Sequence, residues 1–348
     1  MKKILVISSA SIHTKKFIDM IQGHFEIYLI TNNIDIFQDC EIEKIYQWNK
    51  NPIKNAWITK QILKKINPDL IHIQQVGFLA FYYTLLLHRH YKILVTAWGG
   101  DIMEFPYINK LKYWMTTYTL KHVSILSSIN SVGMMSVMHS LTDFKRQIIP
   151  INFGVGKYIS FEHIYFNKEN IIYSPRAHED LYNIEIILHS FASFIQKESQ
   201  WKLYLSGSSD PKNTPKLKAL SKELGLETSV NFVGALSQEE HAKLLNRSKI
   251  VVSVPITDGR PISVMEAIAS NCTVICSNIL ANQELISDGI NGVLIDHTKI
   301  FDFGVYHQID INLQTNYNEA ISKSFSYVNA QKSFIHTMER ILYDDNYR

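Results

Sequence analysis

The sequence is poor in cysteine, with three in 348 residues. An odd number cannot pair completely. Cys272 and Cys276 lie in CTVIC, where a strand would hold them about 13 Å apart, beyond disulfide reach. That excludes a disulfide-stapled scaffold and predicts a reduced, cytoplasmic setting. Long apolar runs are also scarce. The longest, VGFLAFYYTLLL from Val76, has about a dozen residues where a bilayer span needs about 20. The opening MKKILVISSASIHTKK has a basic head, but its apolar core is short and cut by serines, so it reads as a first strand rather than a signal peptide. A soluble protein follows, or one bound peripherally at the inner face of the cell membrane. Neither sign of charge dominates, the formal net charge being +3, which argues against an extended nucleic-acid footprint. Repeats and low-complexity tracts are absent. So are zinc spacing, a Gly-Lys-Ser phosphate loop, a nucleophile elbow and a compact aspartate motif for a divalent metal. No metal and no cofactor are expected.

What is present is a rhythm. With 46% apolar and 19% charged residues the composition is that of a globular protein, and the length favours two domains. Short apolar runs alternate with segments of helical period, the pattern of parallel sheets covered by helices. Strands are predicted at ILVISS, EIYLIT, KIYQW, DLIHIQ, KILVTAW, SILSSI and QIIPIN, then at IIYSPR, KLYLSG, VNFVGA, IVVSVP, TVICSN and GVLID. Helices are predicted between them, one at SQEEHAKLLNRS, which opens with a serine cap and a glutamate three residues on. Both periods fail between Gly154 and Asn170. The prediction is α/β: two doubly wound, Rossmann-like domains facing across a cleft, residues 1–155 and 165–320. A terminal helix from about 325 to 348 is expected to pack back on the first domain. Ligands of such sheets bind at the carboxyl ends of the strands.

The stretch TDGRPISVMEA, Thr257 to Ala267, follows a predicted buried strand. Pro261 suits a helix's first turn, and Asn271 suits a left-handed terminating position. Asp258 and Gly259 then fall in the turn and Glu266 inside the helix, whose N-terminus favours an anion such as a phosphate. Glu266 sits among Met265, Ala267 and Ile268, so its carboxylate needs partners. Two readings stand from pattern alone: the acids hold a ligand, or Asp258 caps the helix while Glu266 pairs with a basic residue.

Taken with SNILANQELISDGINGVLID, the stretch resembles the donor-binding signature of the family 4 retaining glycosyltransferases of GT-B fold, also described as glycosyl transferases group 1. Asp258 and Glu266 match the family's two acids, and Glu284, Asn291 and Gly292 its downstream elements. LYLSG, VNFVGALSQEEHAKLL and IPINFGV are similar to further family segments in order. The resemblance implies that Glu266 grips the ribose of a nucleotide sugar and Asp258 faces the transferred sugar. Backbone groups of Gly259, Arg260, Pro261 and Ile262 would hold the diphosphate. Arg176 would neutralise the leaving group as negative charge grows on its oxygens. Gly207 and Glu284 complete the donor side. The family's following lysine and glycine are here Tyr182 and Asn183, leaving Arg260 or His178 to replace the lost cation. The family's His-Gly-x-acid motif reads WGGD, with Trp98 for the histidine, then Gly99 and the acid Asp101.

On the acceptor side, the first loop SSASIHTKK contains no glycine, but Ser9, Ala10 and Ser11 are small, and His13 stands where a helix should begin. Ser11 and His13 are ligand candidates or members of an ordinary turn. His72 reads as a satisfied core histidine, with Gln74 and Gln75 at the strand end as cleft residues. The segment from Asn109 to His122 carries Lys110, Lys112, Tyr113, Trp114, Tyr118 and Lys121. It is either a surface helix burying its aromatic side or an amphipathic face for an anionic membrane.

The function implied by the resemblance is transfer of a hexose from a nucleotide-diphosphate sugar, a UDP-sugar favoured, to a hydroxyl of a glycan or lipid-linked glycan. Retention would be metal-independent, with the leaving diphosphate taking the acceptor's proton. The lysine, isoleucine and asparagine bias fits an AT-rich bacterial genome, and surface polysaccharide or glycoconjugate synthesis is the setting it suggests. Two alternatives use the same scaffold: a degenerate partner of an active transferase, and a nucleotide-sugar epimerase.

Overall fold

A computed structural model describes residues 1–129, 131–143, 145–159 and 168–343. Residues 160–167 of the break expected between Gly154 and Asn170, and the last five residues of the expected terminal helix, lie outside these. Two compact units are present: residues 1–153 together with the chain from Ala330 onward, and Gly154–Asn329.

The first unit runs β1 (Lys3–Ile7), α1 (Ile12–Ile21), β2 (Glu26–Thr31), β3 (Lys44–Gln47), α2 (Pro52–Ile66), β4 (Leu70–Gln74), α3 (Phe78–Leu87), β5 (Ile93–Ala97), α4 (Gly100–Met103), α5 (Lys110–His122), β6 (Ile125–Ile129), α6 (Val132–Leu141) and β7 (Ile148–Ile151). The sheet is parallel in the order β3-β2-β1-β4-β5-β6-β7. Strands β4, β5 and β6 are buried throughout, which is why they read as nearly continuous apolar runs rather than alternating ones. Right-handed crossovers place α1 on one face of the sheet and α2, α3, α5 and α6 on the other.

His72 faces this core from β4, fully buried, and shares a hydrogen bond of 2.7 Å with the Thr96 hydroxyl. It is the satisfied core histidine expected. Burial pushes its pKa from 6.5 to about 3, so the folded chain holds it neutral while the unfolded chain takes up a proton below 6.5. The stability this contributes is present above that value and is lost as pH falls towards the folded one. Moving from pH 7.5 to 5.5 should therefore cost about 1.4 kcal/mol through this group alone. Denaturant midpoints at the two pH values would show it, and His72→Gln, which keeps a donor towards Thr96, should remove that increment. An equal pH dependence in the variant would refute the assignment.

The second unit runs β8 (Glu169–Pro175), α7 (Ile184–Ile195), β9 (Lys202–Ser206), α8 (Asn213–Glu223), β10 (Val230–Gly234), α9 (Gln238–Arg247), β11 (Ser248–Ser253), α10 (Ile262–Ala269), β12 (Thr273–Ser277), α11 (Leu280–Gln283), β13 (Gly292–Ile295), α12 (Ile311–Ser322) and α13 (Tyr327–Tyr343), which continues into the first unit. Its parallel sheet has the order β10-β9-β8-β11-β12-β13. All thirteen predicted runs are strands.

The chain moves outward from β8 through β9 to β10, then crosses back to β11 and moves the other way. Helices α7 and α8 therefore cover one face and α9 and α10 the other, each face with its own apolar core. Between β8 and β11 the strand order reverses, and the loops leaving these two neighbours diverge.

Candidate active site

The loops after β8 and β11 meet through Arg176. Its Nε–H donates to the Ser253 hydroxyl at 2.8 Å and an Nη2 proton to Asp258 Oδ2 at 2.8 Å. The guanidinium also lies over the Tyr182 ring, 5.1 Å from its centroid. The arginine is thus held on three sides, a rigid cation at the carboxyl end of the sheet. Asp258 does not cap α10: the cap position is Pro261, one residue before the helix, and it carries no side-chain cap bond.

Gly207 explains how tightly this corner is built. Its φ of +115° suits glycine, and a Cβ there would stand 2.4 Å from the Arg176 carbonyl oxygen. Gly207→Ala is expected to cost about 2 kcal/mol of stability and to displace Arg176. A thermal melt with nucleotide titration would check both, and an unchanged melting temperature would contradict the close approach.

Glu266 is 8% exposed on α10. Its Oε1 accepts the Gly156 N–H at 3.2 Å and its Oε2 lies 3.0 Å from His241 Nε2. His241 Nδ1 is 2.7 Å from the Tyr173 hydroxyl, which is 2.6 Å from Ser206 Oγ. The donors can be ordered. A carboxylate only accepts, so His241 Nε2 carries the proton. Its Nδ1 then accepts from Tyr173, whose oxygen accepts from Ser206. Burial, first of all, raises the Tyr173 pKa far above the ordinary phenol range, so that O–H is retained. The basic residue paired with Glu266 is thus a histidine on α9, reached because α9 and α10 cover the same sheet face.

Arg260 Nη1 is 3.7 Å from Glu284 Oε2, both side chains being largely buried. His178 is 2% exposed, with Nδ1 2.9 Å from the Thr214 hydroxyl. Burial and then Lys218 lower its pKa, which disfavours a charged His178 in place of the missing cation. Tyr182 itself takes up the face of Arg176. Asn291 is buried, bonded to the Ser287 N–H and the Leu285 carbonyl, and a Cβ on Gly292 would lie 2.5 Å from the Val274 oxygen; both shape the turn into β13. Ser263, at the start of α10, has a buried hydroxyl with no partner among the described residues. Ser263, His241, Tyr173 and Ser253 had no signal in the sequence beyond ordinary core or turn composition.

In the first unit Ser11 caps α1, accepting the Thr14 N–H at 3.2 Å. Trp98 is 8% exposed and lies between the rings of His13 and Phe153, each centroid 4.6 Å away. Gln74 corrects an expectation. It is not an open cleft side chain but 1% exposed, its Oε1 accepting the Trp98 indole N–H at 2.8 Å. Asp101 accepts N–H bonds from Val76 at 2.8 Å, Trp98 at 3.0 Å and Gly99 at 2.7 Å. Its burial raises the pKa and these backbone donors oppose the shift. WGGD is therefore a braced turn, its carboxylate tying the ends of β4 and β5 together.

The segment from Asn109 to His122 also departs from one expectation. Helix α5 buries Met115, Thr116, Thr119 and Leu120, whereas Tyr113 and Trp114 stay exposed. Its aromatic side is not buried.

No group of three His, Cys, Asp or Glu residues arranged to hold a metal exists among the described residues, and no helix among them is long and apolar enough to cross a membrane. Two family models match the chain, "Glycosyl transferases group 1" over residues 158–304 and "Glycosyl transferase 4-like" over residues 3–130. A GDP-mannose:cellobiosyl-diphosphopolyprenol alpha-mannosyltransferase from Xanthomonas oryzae is 22% identical over 237 residues, 67% of this chain and 62% of that protein. The chain thus spans about three-fifths of that relative. An alpha-monoglucosyldiacylglycerol synthase from Streptococcus pneumoniae is 28% identical over 112 residues, 32% of this chain and 25% of that one. Among solved structures, a glycosyltransferase from Rickettsia africae aligns with a TM-score of 0.78 at 18% identity, covering 99% of each chain. Anabaena HepE in complex with UDP and glucose aligns with a TM-score of 0.76 at 12% identity, covering 97% of this chain and all of the other. These likenesses carry the GT-B fold. Both family models agree with the fold: the second unit is similar to the glycosyl transferases group 1 and the first to the glycosyl transferase 4-like proteins.

Proposed function

We propose that the chain is a retaining, metal-independent hexosyltransferase that moves a sugar from a nucleotide-diphosphate donor to a hydroxyl of a glycan or lipid-linked glycan. The observation that carries this reading is a pair of braced groups in the second unit: Arg176 held by Ser253 and Asp258, and Glu266 held by His241 and Gly156. Glu266 binds the ribose and Asp258 the sugar. Arg176 and the α10 N-terminus face the diphosphate, where a fixed cation and backbone dipoles stabilise charge that grows as the bond to the sugar breaks. The acceptor oxygen bonds to the anomeric carbon, the sugar–phosphate bond breaks, and the acceptor's proton passes to the departing diphosphate. A lipid-linked acceptor is supported by the Xanthomonas relative, whose name includes a diphosphopolyprenol. We take the donor as a UDP-sugar, the nucleotide in the HepE complex; the GDP-mannose named for the Xanthomonas relative is the competing outcome.

Calorimetric titration with UDP, GDP, ADP and their sugars tests the reading. We expect one nucleotide to bind with micromolar affinity, unchanged by chelator. Loss of binding with chelator would overturn metal independence. Binding of none would favour the degenerate partner, a reading that Trp98 and Tyr182 at the family's histidine and lysine positions support. Conversion of a nucleotide sugar without acceptor would identify an epimerase.

A further inference from the structure

Three neighbouring helices of the first unit share an unusual outer composition. Helices α2, α3 and α5 contain no aspartate or glutamate, while α2 and α5 carry seven lysines. They lie on one side of the sheet and touch in sequence. The Tyr82 hydroxyl donates to the Pro52 carbonyl at 2.6 Å, joining α3 to α2. The ring of Phe81 meets that of Trp114 with centroids 5.1 Å apart, joining α3 to α5. Large apolar side chains stand outward on each: Ile53 and Trp57 on α2, Phe78 and Leu85 on α3, Leu111 and Trp114 on α5, all at least half exposed. Their spacings of four, seven and three keep each pair on one helix face. Lys54, Lys60 and Lys110 are exposed on the same helices, and Lys112 lies over the Phe105 ring, 5.0 Å from its centroid.

Exposed Trp, Phe and Leu interleaved with lysine, without carboxylates, is the chemistry of an amphipathic surface at an anionic lipid interface. The rings sit at headgroup depth and the ammonium groups meet phosphate. A second copy of the chain fits poorly. A two-fold contact would set this acid-free face against itself, lysine opposite lysine. We infer that the outer face of α2, α3 and α5 docks on a membrane surface rich in anionic phospholipid. The inference does not depend on the transfer reaction.

Co-sedimentation of the full chain tests it, with vesicles of phosphatidylcholine alone or with one-third phosphatidylglycerol. Binding is expected to the mixed vesicles only and to fade at high salt, when the charges are screened. Lys60→Gln and Lys110→Gln should each weaken it about fivefold. Trp57→Ala and Trp114→Ala should abolish the blue shift of tryptophan emission that accompanies insertion, while Lys222→Gln on α8 should change nothing. All these positions are exposed, so unchanged melting temperatures and nucleotide affinity would establish that each variant is folded. Absence of binding to anionic vesicles at low salt would overturn the inference. So would binding indifferent to these substitutions, or a concentration-dependent dimer that Trp114→Ala dissociates.

Discussion

Replacing Arg176 with alanine is expected to lower turnover by about 10²- to 10³-fold, the scale of losing one preorganised donor to a developing anion. The guanidinium needs no reorganisation when charge appears on the leaving group, because Ser253, Asp258 and the face of Tyr182 already hold it. Arg176→Lys should recover only part of the rate. An ammonium cannot span the hydroxyl and the carboxylate as the planar fork does, nor lie flat on the tyrosine ring. Arg176→Ala leaves Asp258 without its ionic partner, so stability must be measured beside activity. The decisive readout is turnover at saturating donor in protein shown by its melting curve to be folded. A rate within about threefold of the original would remove Arg176 from the transition state.

Glu266→Ala should weaken nucleotide binding by about 10²-fold, since hydrogen bonds to a charged acceptor are worth about 1.5–3 kcal/mol each. On the proposed reading this residue, unlike Arg176, acts on the bound nucleotide as well as on the transition state, so the loss should be visible by calorimetry with the nucleotide alone. Tyr173→Phe separates holding the carboxylate from being the carboxylate. It removes the O–H that fixes the His241 tautomer, and a loss of about tenfold in donor affinity is expected with turnover at saturation unchanged. In the double variant the two losses should not add, because both act through one oxygen pair. An additive cycle, or an unaltered affinity in Glu266→Ala, would refute the chain Ser206–Tyr173–His241–Glu266 as a device for donor binding.

The fold was legible because its central strands are buried on both faces. Runs such as ILVTA and ILSSI cannot be amphipathic helices, and helical periods between them leave parallel pairing as the remaining option. The capping box at Ser237 and the left-handed Asn271, φ 52°, likewise follow from local chemistry. The acids of TDGRPISVMEA were legible as a spacing, but their partners were not. His241 sits 25 residues before Glu266 in sequence, and only the crossing from β10 back to β11 puts the two helices on one face. Tyr173 reads as core from its neighbours, and nothing local distinguishes a phenol that merely fills space from one that orients a histidine. In the first unit Gln74 was singled out by its place at a strand's carboxyl end and Asp101 as the acid of the family motif. The structure spends their polarity internally, on an indole N–H and on three backbone amides.

Helix α13 carries a further implication. Its Phe334, Met338 and Ile341 are almost wholly buried, and the Phe334 ring packs edge-on to Phe17 and beside Phe153 at centroid distances of 5.4 Å. The N-terminal unit thus closes its core with residues from the far end of the chain. On the ribosome, where synthesis runs from the N-terminus, the second unit has all its strands before the first has its last helix. The unit that emerges first is the one completed last, and until α13 has been made it presents an apolar groove where that helix will lie. Chaperone dependence and losses during expression should therefore track the tail. A chain truncated before Ala330 would keep every donor-side residue yet leave the first unit permanently unfinished.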